Sequence, residues 1–335
     1  MVESVKLRAL TAHIPAFDQD VVADVVWKLQ KVEDEIVWTK RVALPPLPRS
    51  EPMDKVVELA DLNKEVLFSL VHLDSKDPRV TEVPEALEPE NAYASILVRR
   101  LDDVDKLSKL LAEIEPEKAS RLSLTFSDYF VVTPYFPSGT GDVALPSLSA
   151  SALYVSEFNR NQEVQALAKA DELAKIYARN LGLKYLGLDV SLSPWKEESV
   201  GRVIEQLSGR KLFEPSHLST VFEINQRVFK AAVLAKVNAL GFSEVMLPVA
   251  EDDVLTQRVS EGSLRLRDLI SLSFVCVAGL DMIAVRADRD LLASLIKAMY
   301  AVYYVKRRPV GMRVIPTPGG DVVLKKFGRV VETQM

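Results

Sequence analysis

The stretch Gly241–Asp281, GFSEVMLPVAEDDVLTQRVSEGSLRLRDLISLSFVCVAGLD, decides how this chain is read. Leu240-Gly241 reads as a helix end, and Val245-Met-Leu-Pro-Val249 as a short strand. Glu251, Asp252 and Asp253 follow at once, then a helix over about Val254–Val259 that Glu261-Gly262 closes. After a second short helix, the apolar run around Cys276 reads as another strand leading to Gly279-Leu280-Asp281. Strand ends that pass through polar residues into helices are where parallel α/β proteins place their chemistry. The stretch marks an α/β fold and a site, but no reaction.

Upstream, a segment of the same build appears. A long helix ends in Asn180-Leu181-Gly182, then a strand over Tyr185–Val190 carries Asp189, with Ser191 and Ser193 just beyond. In both segments glycine supplies the left-handed residue that closes a helix. Thr220 and Glu223 have capping-box spacing at the start of the second helix, expected from about Val221. Two αβ units built alike imply parallel strands whose carboxyl ends share a rim.

Towards the N-terminus the pattern repeats. Strands are expected near Val5–Thr11, Glu35–Leu44, Val66–His72, Ala92–Arg99 and Leu122–Phe126. Helices are expected between them, near Asp18–Lys31, Met53–Asn63 and Val104–Glu115. Pro45-Pro46-Leu47-Pro48 reads as a loop, and the acidic Asp74–Asn91 as a mobile surface loop with three prolines. The tail reads as helix Arg289–Lys306, strand Val310–Ile315 and a turn through Gly319-Gly320. About ten strands with helices between most of them fit one closed α/β barrel domain over residues 1–335 better than an open sheet.

The composition excludes several classes. A net charge of -5 argues against a nucleic-acid surface, which should be basic. Lys306-Arg307-Arg308 sits at a helix end, where cations suit the dipole. Cys276 is the single cysteine, which excludes an internal disulfide and a cysteine-built zinc site. Its valine neighbours give it the setting of an inert thiol. His13, His72 and His217 are scattered. The opening MVESVKLRAL lacks the apolar core of a signal peptide, and no run is long enough to span a bilayer, so a soluble cytoplasmic protein is expected.

Two groups of residues are candidates for a site. Asp189, Glu251, Asp252 and Asp281 are each expected at or just past a strand end, where they could meet at one mouth as acid and base. Hard oxygen ligands of this kind suit a divalent metal such as magnesium or manganese. Ser191, Ser193 and Arg258, with Glu261 beside it, could hold a carboxylate or phosphate. In Tyr129–Gly141 (YFVVTPYFPSGTG), prolines and glycines stiffen and then free the chain, which makes Tyr135, Phe136 and Ser138 a candidate pocket wall or a buried turn. The structural alternatives are that Asp252 or Asp253 caps the next helix and that Arg258 pairs with Glu261 or Glu251.

Several motifs in order resemble one family. They are L-R-A-L-T at Leu7–Thr11, W-T-K-R-V-A at Trp38–Ala43, T-P-Y-F-P at Thr133–Pro137 and G-L-D-V-S-L-S-P at Gly187–Pro194. L-P-V-A-E-D-D-V-L-T-Q-R-V-S-E-G, V-C-V-A-G-L-D and R-V-I-P-T-P-G complete the set. The chain thereby resembles the uncharacterised protein family 0210, or domain of unknown function 711. That resemblance implies a fold similar to the pyruvate formate-lyase barrel, with ten strands in two five-stranded parallel halves. It implies no assigned activity, and it suggests an ACT-domain protein as a partner.

The tail Phe327–Met335 lacks a glycyl-radical pattern, so no radical cofactor is expected. Val277, Ile283–Asp288 and Ser138-Gly139 depart from the family's usual residues, which points to a changed ligand or a lost activity. Three readings stay open. One is an enzyme acting on a small anionic metabolite by acid–base chemistry, with or without a metal. Another is a non-catalytic ligand-binding or regulatory protein working with an ACT-domain-like partner; under any of the readings a homodimer or other homo-oligomer is expected. The third is a barrel whose mouth is filled by its own side chains.

Overall fold

The structure is a computed structural model and describes residues 5–33 and 35–335; the first four residues of the opening MVESVKLRAL lie outside it. The fold is α/β, with mostly parallel strands and flanking helices. Nine strands carry it: β1 (Lys6–His13), β2 (Lys40–Ala43), β3 (Leu67–Asp74), β4 (Ala92–Val98), β5 (Leu122–Phe126), β6 (Ser147–Leu153), β7 (Lys184–Asp189), β8 (Leu280–Arg286) and β9 (Val310–Thr317). The chain divides into two compact units: residues 1–97, 129–191 and 228–243, and residues 98–128, 192–227 and 244–335.

In the first unit the strand order is β7-β6-β1-β2-β3-β4. Pairs β1/β2, β2/β3, β3/β4 and β6/β7 are parallel, and β1/β6 is antiparallel. Helix Gln19–Gln30 turns Val22, Val25, Val26 and Leu29 inward, and the Asp18 carboxylate caps it by accepting from the amides of Asp20 and Val21. Helix Glu163–Leu181 lies on β6 and β7 through Ala166, Ala170, Ala174 and Ala178, small residues that allow close approach. Gly182, left-handed at φ 69°, ends it as expected.

The opposite face of these strands is polar and also buried. The register sets Ala9, Thr11 and His13 of β1 opposite Ser151, Ser149 and Ser147 of β6. It continues through Arg41 and Ala43 of β2 to Leu67 and Ser69 of β3. Strands buried on both faces usually read as continuous apolar runs. Here β6 reads Ser-Leu-Ser-Ala-Ser-Ala-Leu, and that mixture hid it in the sequence although both faces are covered.

In the second unit β8 and β9 are parallel, and β5 pairs antiparallel with β9. Helix Arg289–Lys306, capped by Asp288, packs on helix Val104–Glu113 and on β9. A terminal hairpin, Val322–Leu324 with Gly328–Val330, adds Leu324, Phe327 and Val330 to a cluster with Ala250, Met282, Ala284 and Ile315.

Several expectations need correction. Asp74–Asn91 is not an open loop: it holds the 3-10 helix Pro78–Glu82 and the helix Val83–Ala86, with Val80, Val83 and Leu87 fully buried. The helix expected from Val221 begins at Ser216 and ends at Leu234, so Thr220 is interior and donates to the Ser216 carbonyl at 3.3 Å. Lys236, at φ 57°, turns the chain there, with the Val237 amide donating back to the Ala232 carbonyl. A left-handed lysine does what glycine usually does, so the sequence signal pointed to Gly241 instead. Val245–Val249 is not a full strand but makes a single bridge, Met246 to Val277. The residues around Cys276 form no strand; β8 starts at Leu280. Among the described residues no helix is long and apolar enough to cross a membrane.

Candidate functional site

In the first unit Asp189 ends β7 and is fully buried. Its carboxylate accepts from Thr133 Oγ1 at 2.8 Å, the Ser191 amide at 3.1 Å and Ser191 Oγ at 2.6 Å. The amides of Phe242 and Ser243 donate to it as well, at 2.9 and 3.0 Å. Burial pushes its carboxyl above the usual range, and these five donors pull the other way. The carboxylate fastens a tight corner. Gly241 has φ 66°, and a Cβ there would stand 2.4 Å from Asp189 Oδ2, so only glycine fits. Asp189 and Ser191 are thus together, and these bonds organise the backbone.

The segment Thr133–Gly141 lies on the polar strand face. Thr11 Oγ1 and Arg41 Nη1 donate to the Pro134 carbonyl at 3.3 and 2.9 Å, and Ser69 Oγ donates to that of Pro137 at 3.0 Å. Gly141 passes so close that a Cβ would meet the Ile14 and Ala43 carbonyls at 2.3 and 2.5 Å. Tyr135, Phe136 and Ser138 are all buried. The Arg8 guanidinium lies 5.7 Å from the Tyr135 ring centre, and that of Arg41 lies 5.1 Å from that of Phe136. Arg8 reaches this face because β1 shifts register against β6 between Leu7 and Ala9, a bulge that re-aims a side chain.

His13 sits on the same face. Its Nδ1 is 2.7 Å from the Thr140 carbonyl and its Nε2 is 2.7 Å from Ser149 Oγ. A carbonyl only accepts, so Nδ1 carries the hydrogen, and Nε2 of the neutral ring accepts from the hydroxyl. Serine, imidazole and an orienting oxygen form the arrangement of a nucleophile and its base. Burial, however, pushes the ring down to about 4, against the pull of the Thr140 bond. A base so lowered is a weak one at neutral pH.

In the second unit the acids separate. Asp252 is fully buried and accepts from Ser199 Oγ at 2.5 Å and from the amides of Gly201, Val254 and Leu255 at 3.0, 2.9 and 3.1 Å. It caps its own helix, Asp253–Ser260, and ties down the start of helix Val200–Ser208. Burial raises its carboxyl against these donors.

Glu251 and Asp281 do come together, on a cation that the sequence reading left out. Arg313 of β9 stands in register with Asp281 of β8 and grips it at 2.5 Å (Nε to Oδ1) and 3.0 Å (Nη2 to Oδ2). The same Nη2 donates to Glu251 Oε1 at 2.8 Å. Burial disfavours the charge on Arg313, but Asp281 and Glu251 together raise its pKa above the ordinary arginine value. Asp281 is the second residue of β8 rather than past a strand end, and a register shift follows it, with Met282 left-handed at φ 51°.

Arg258 forks onto Glu205 at 2.6 and 2.9 Å and also reaches Glu261 at 3.1 Å. Its pairing with Glu261 is one of the two alternatives the sequence left open; Glu205 was not foreseen. Burial pushes the Glu205 carboxyl up, but the Arg258 bonds, the Leu212 amide and the charges of Arg258 and Lys211 together lower it. Ser193 is buried. Among the described residues no three of His, Cys, Asp and Glu are placed to hold a metal ion.

Cys276 is buried, and its thiol is pushed up to about 12 by burial, with Lys306 opposing. Its alkylation by iodoacetamide at pH 8 is expected to be roughly a thousandfold slower in the folded chain than in the urea-unfolded one. Comparable rates would show that the thiol is reachable and activated.

The sequence profile of a family described as "Uncharacterised ACR (DUF711)" matches residues 149–325, which hold Asp189, Glu251, Asp281 and Arg313. A UPF0210 protein of Pyrobaculum aerophilum is 25% identical over 254 residues, covering 69% of this chain and 56% of that protein. Another, from Sulfurisphaera tokodaii, is 26% identical over 259 residues, covering 70% and 58%. A third, from Bifidobacterium longum subsp. infantis, is 31% identical over 154 residues, covering 45% and 34%. The chain spans less than two thirds of the length of these relatives.

Proposed function

We propose, for a chain that belongs to the DUF711 family, that it binds a small anionic metabolite on the polar strand face of its first unit. One observation carries this reading: two buried guanidinium groups, those of Arg8 and Arg41, are held over the consecutive rings of Tyr135 and Phe136. A ring face steadies a cation in place. A guanidinium held still is a ready fork for a planar carboxylate or a phosphate, and low exposure strengthens the contact. The acids proposed for acid–base work accept from the protein's own donors, which favours binding over turnover.

A second reading keeps acid–base turnover at Glu251, Asp281 and Arg313 of the second unit. The left-handed Met282 beside Asp281 favours it, since strained backbone at a bulge gathers at working sites. For the finer architecture we propose the closed barrel of two five-stranded parallel halves. The antiparallel pairings β1/β6 and β5/β9 support it, because opposed halves need such junctions.

Thermal unfolding against a panel of small carboxylates, amino acids and phosphates tests the binding reading. A ligand at about 100 times its dissociation constant adds roughly 2.7 kcal/mol and is expected to raise the midpoint by several degrees. Arg41→Gln should abolish that rise. If no anion in the panel shifts the unaltered protein, the reading is wrong.

A further inference from the structure

Three serines of β6 share the polar face, and two of them are satisfied. Ser149 Oγ bonds His13 Nε2 at 2.7 Å, and Ser147 Oγ donates to the Leu145 carbonyl at 2.6 Å. Ser151 is as buried as they are, at 0% exposure, yet among the described residues its hydroxyl has no hydrogen-bond partner. Buried hydroxyls are rarely left so, because burial strips them of water and nothing replaces it. Alanine would fit the same strand, as Ala150 and Ala152 do on its other face.

The neighbours of Ser151 are fixed by register. It stands opposite Ala9 of β1 on one side and Asp189 of β7 on the other. Arg8, turned onto this face by the bulge, is the residue next to Ala9. Adjacent strands lie about 4.8 Å apart, so a hydroxyl and a guanidinium so placed can serve two groups of one small molecule.

We infer that Ser151 is a specificity-determining residue: it binds a hydroxyl or amino group on the carbon next to the carboxylate that Arg8 holds, so the ligand is a small 2-hydroxy or 2-amino acid. This inference rests on the anion-binding reading above. A serine hydroxyl donates one hydrogen bond and accepts others, so it serves either substituent. The nearby Asp189 carboxylate adds a preference for the ammonium form, already weakened by its five donors.

The test is binding by calorimetry of lactate, alanine and propionate, three acids that differ only at the second carbon, to the full chain and to Ser151→Ala. Lactate or alanine is expected to bind at least tenfold more tightly than propionate, since a site built around a polar group penalises the analogue lacking it. In Ser151→Ala that preference should vanish while propionate binding is unchanged. The thermal midpoint of Ser151→Ala should equal or exceed that of the parent, because no bond is lost. Ser149→Ala, which breaks the bond to His13, should lower it.

A fall in the midpoint of Ser151→Ala to match Ser149→Ala would make the residue structural and overturn the inference. So would equal binding of the three acids, which would leave the anion site standing without the specificity. If none of the three binds and no other anion shifts the midpoint, the anion reading fails and the inference falls with it. Which of lactate and alanine binds more tightly identifies the substituent.

Discussion

Arg313→Met is expected to destabilise the protein by about 3–5 kcal/mol, because it strands two buried carboxylates. Glu251 and Asp281 are 5% and 8% exposed, and Arg313 bonds both. In a chain of this size the loss corresponds to a fall in midpoint of roughly 4–7 °C. Arg313→Lys should recover only part of it, since an ammonium cannot reproduce the two-pronged grip on Asp281. Adding Glu251→Gln and Asp281→Asn to Arg313→Met should restore more than lysine does, because the stranded charges are gone. The deficit of Arg313→Met should also shrink on acidification, as the two carboxyls take up protons. Urea unfolding of the four proteins at pH 7 and pH 5 measures all of this. A change below about 1 kcal/mol for Arg313→Met would place the triad among weak surface pairs.

The second large effect is on pH dependence. Burial lowers His13 to about 4 and His72 to about 3 from the ordinary histidine value of 6.5. The native rings stay neutral where the unfolded chain already takes up protons. Each histidine therefore contributes stability that is full above pH 6.5 and is lost as pH falls towards its native value. The slope is about 1.4 kcal/mol per pH unit for each, or about 3 kcal/mol for His13 between pH 6.5 and 4. Asp189 and Asp252, raised by burial, act with the opposite sign. They are common to all variants and cancel in differences. Unfolding free energies of the parent, His13→Gln and His72→Gln between pH 7 and pH 4.5 should show each variant with a slope shallower by about 1.4 kcal/mol per unit. Parallel lines would mean that the rings reach solvent in the folded state.

Much of the frame was legible because it is local. Helix Arg289–Lys306 and strand Leu122–Phe126 have the bounds expected from the sequence, and the helix has a local start signal in its capping Asp288. Gly182 closed its helix as read, since a left-handed residue favours glycine. The misreadings came where a local preference was overridden. Lys236 took the left-handed position, and β6 hid behind alternate serines.

The candidate site was only partly legible. Tyr135, Phe136 and the acids stand out in the sequence, while Arg8, Arg41 and Arg313 lie inside the family motifs with no local signal of their own. An arginine in a strand reads as surface unless its partner is known, and the partners are far along the chain. Asp281 and Glu251 lie 32 and 62 residues from Arg313, and Pro134 lies 93 residues from Arg41. Cap, turn and amphipathic face depend on neighbours within a helical turn or a strand, so the sequence by itself determined the α/β class, most helices and the family resemblance. Register, bulges and burial depend on which distant strands pair. Only the tertiary structure decided, therefore, that the acids accept from protein donors, that Arg8 turns onto a polar face, and that Ser151 is left without a partner among the described residues.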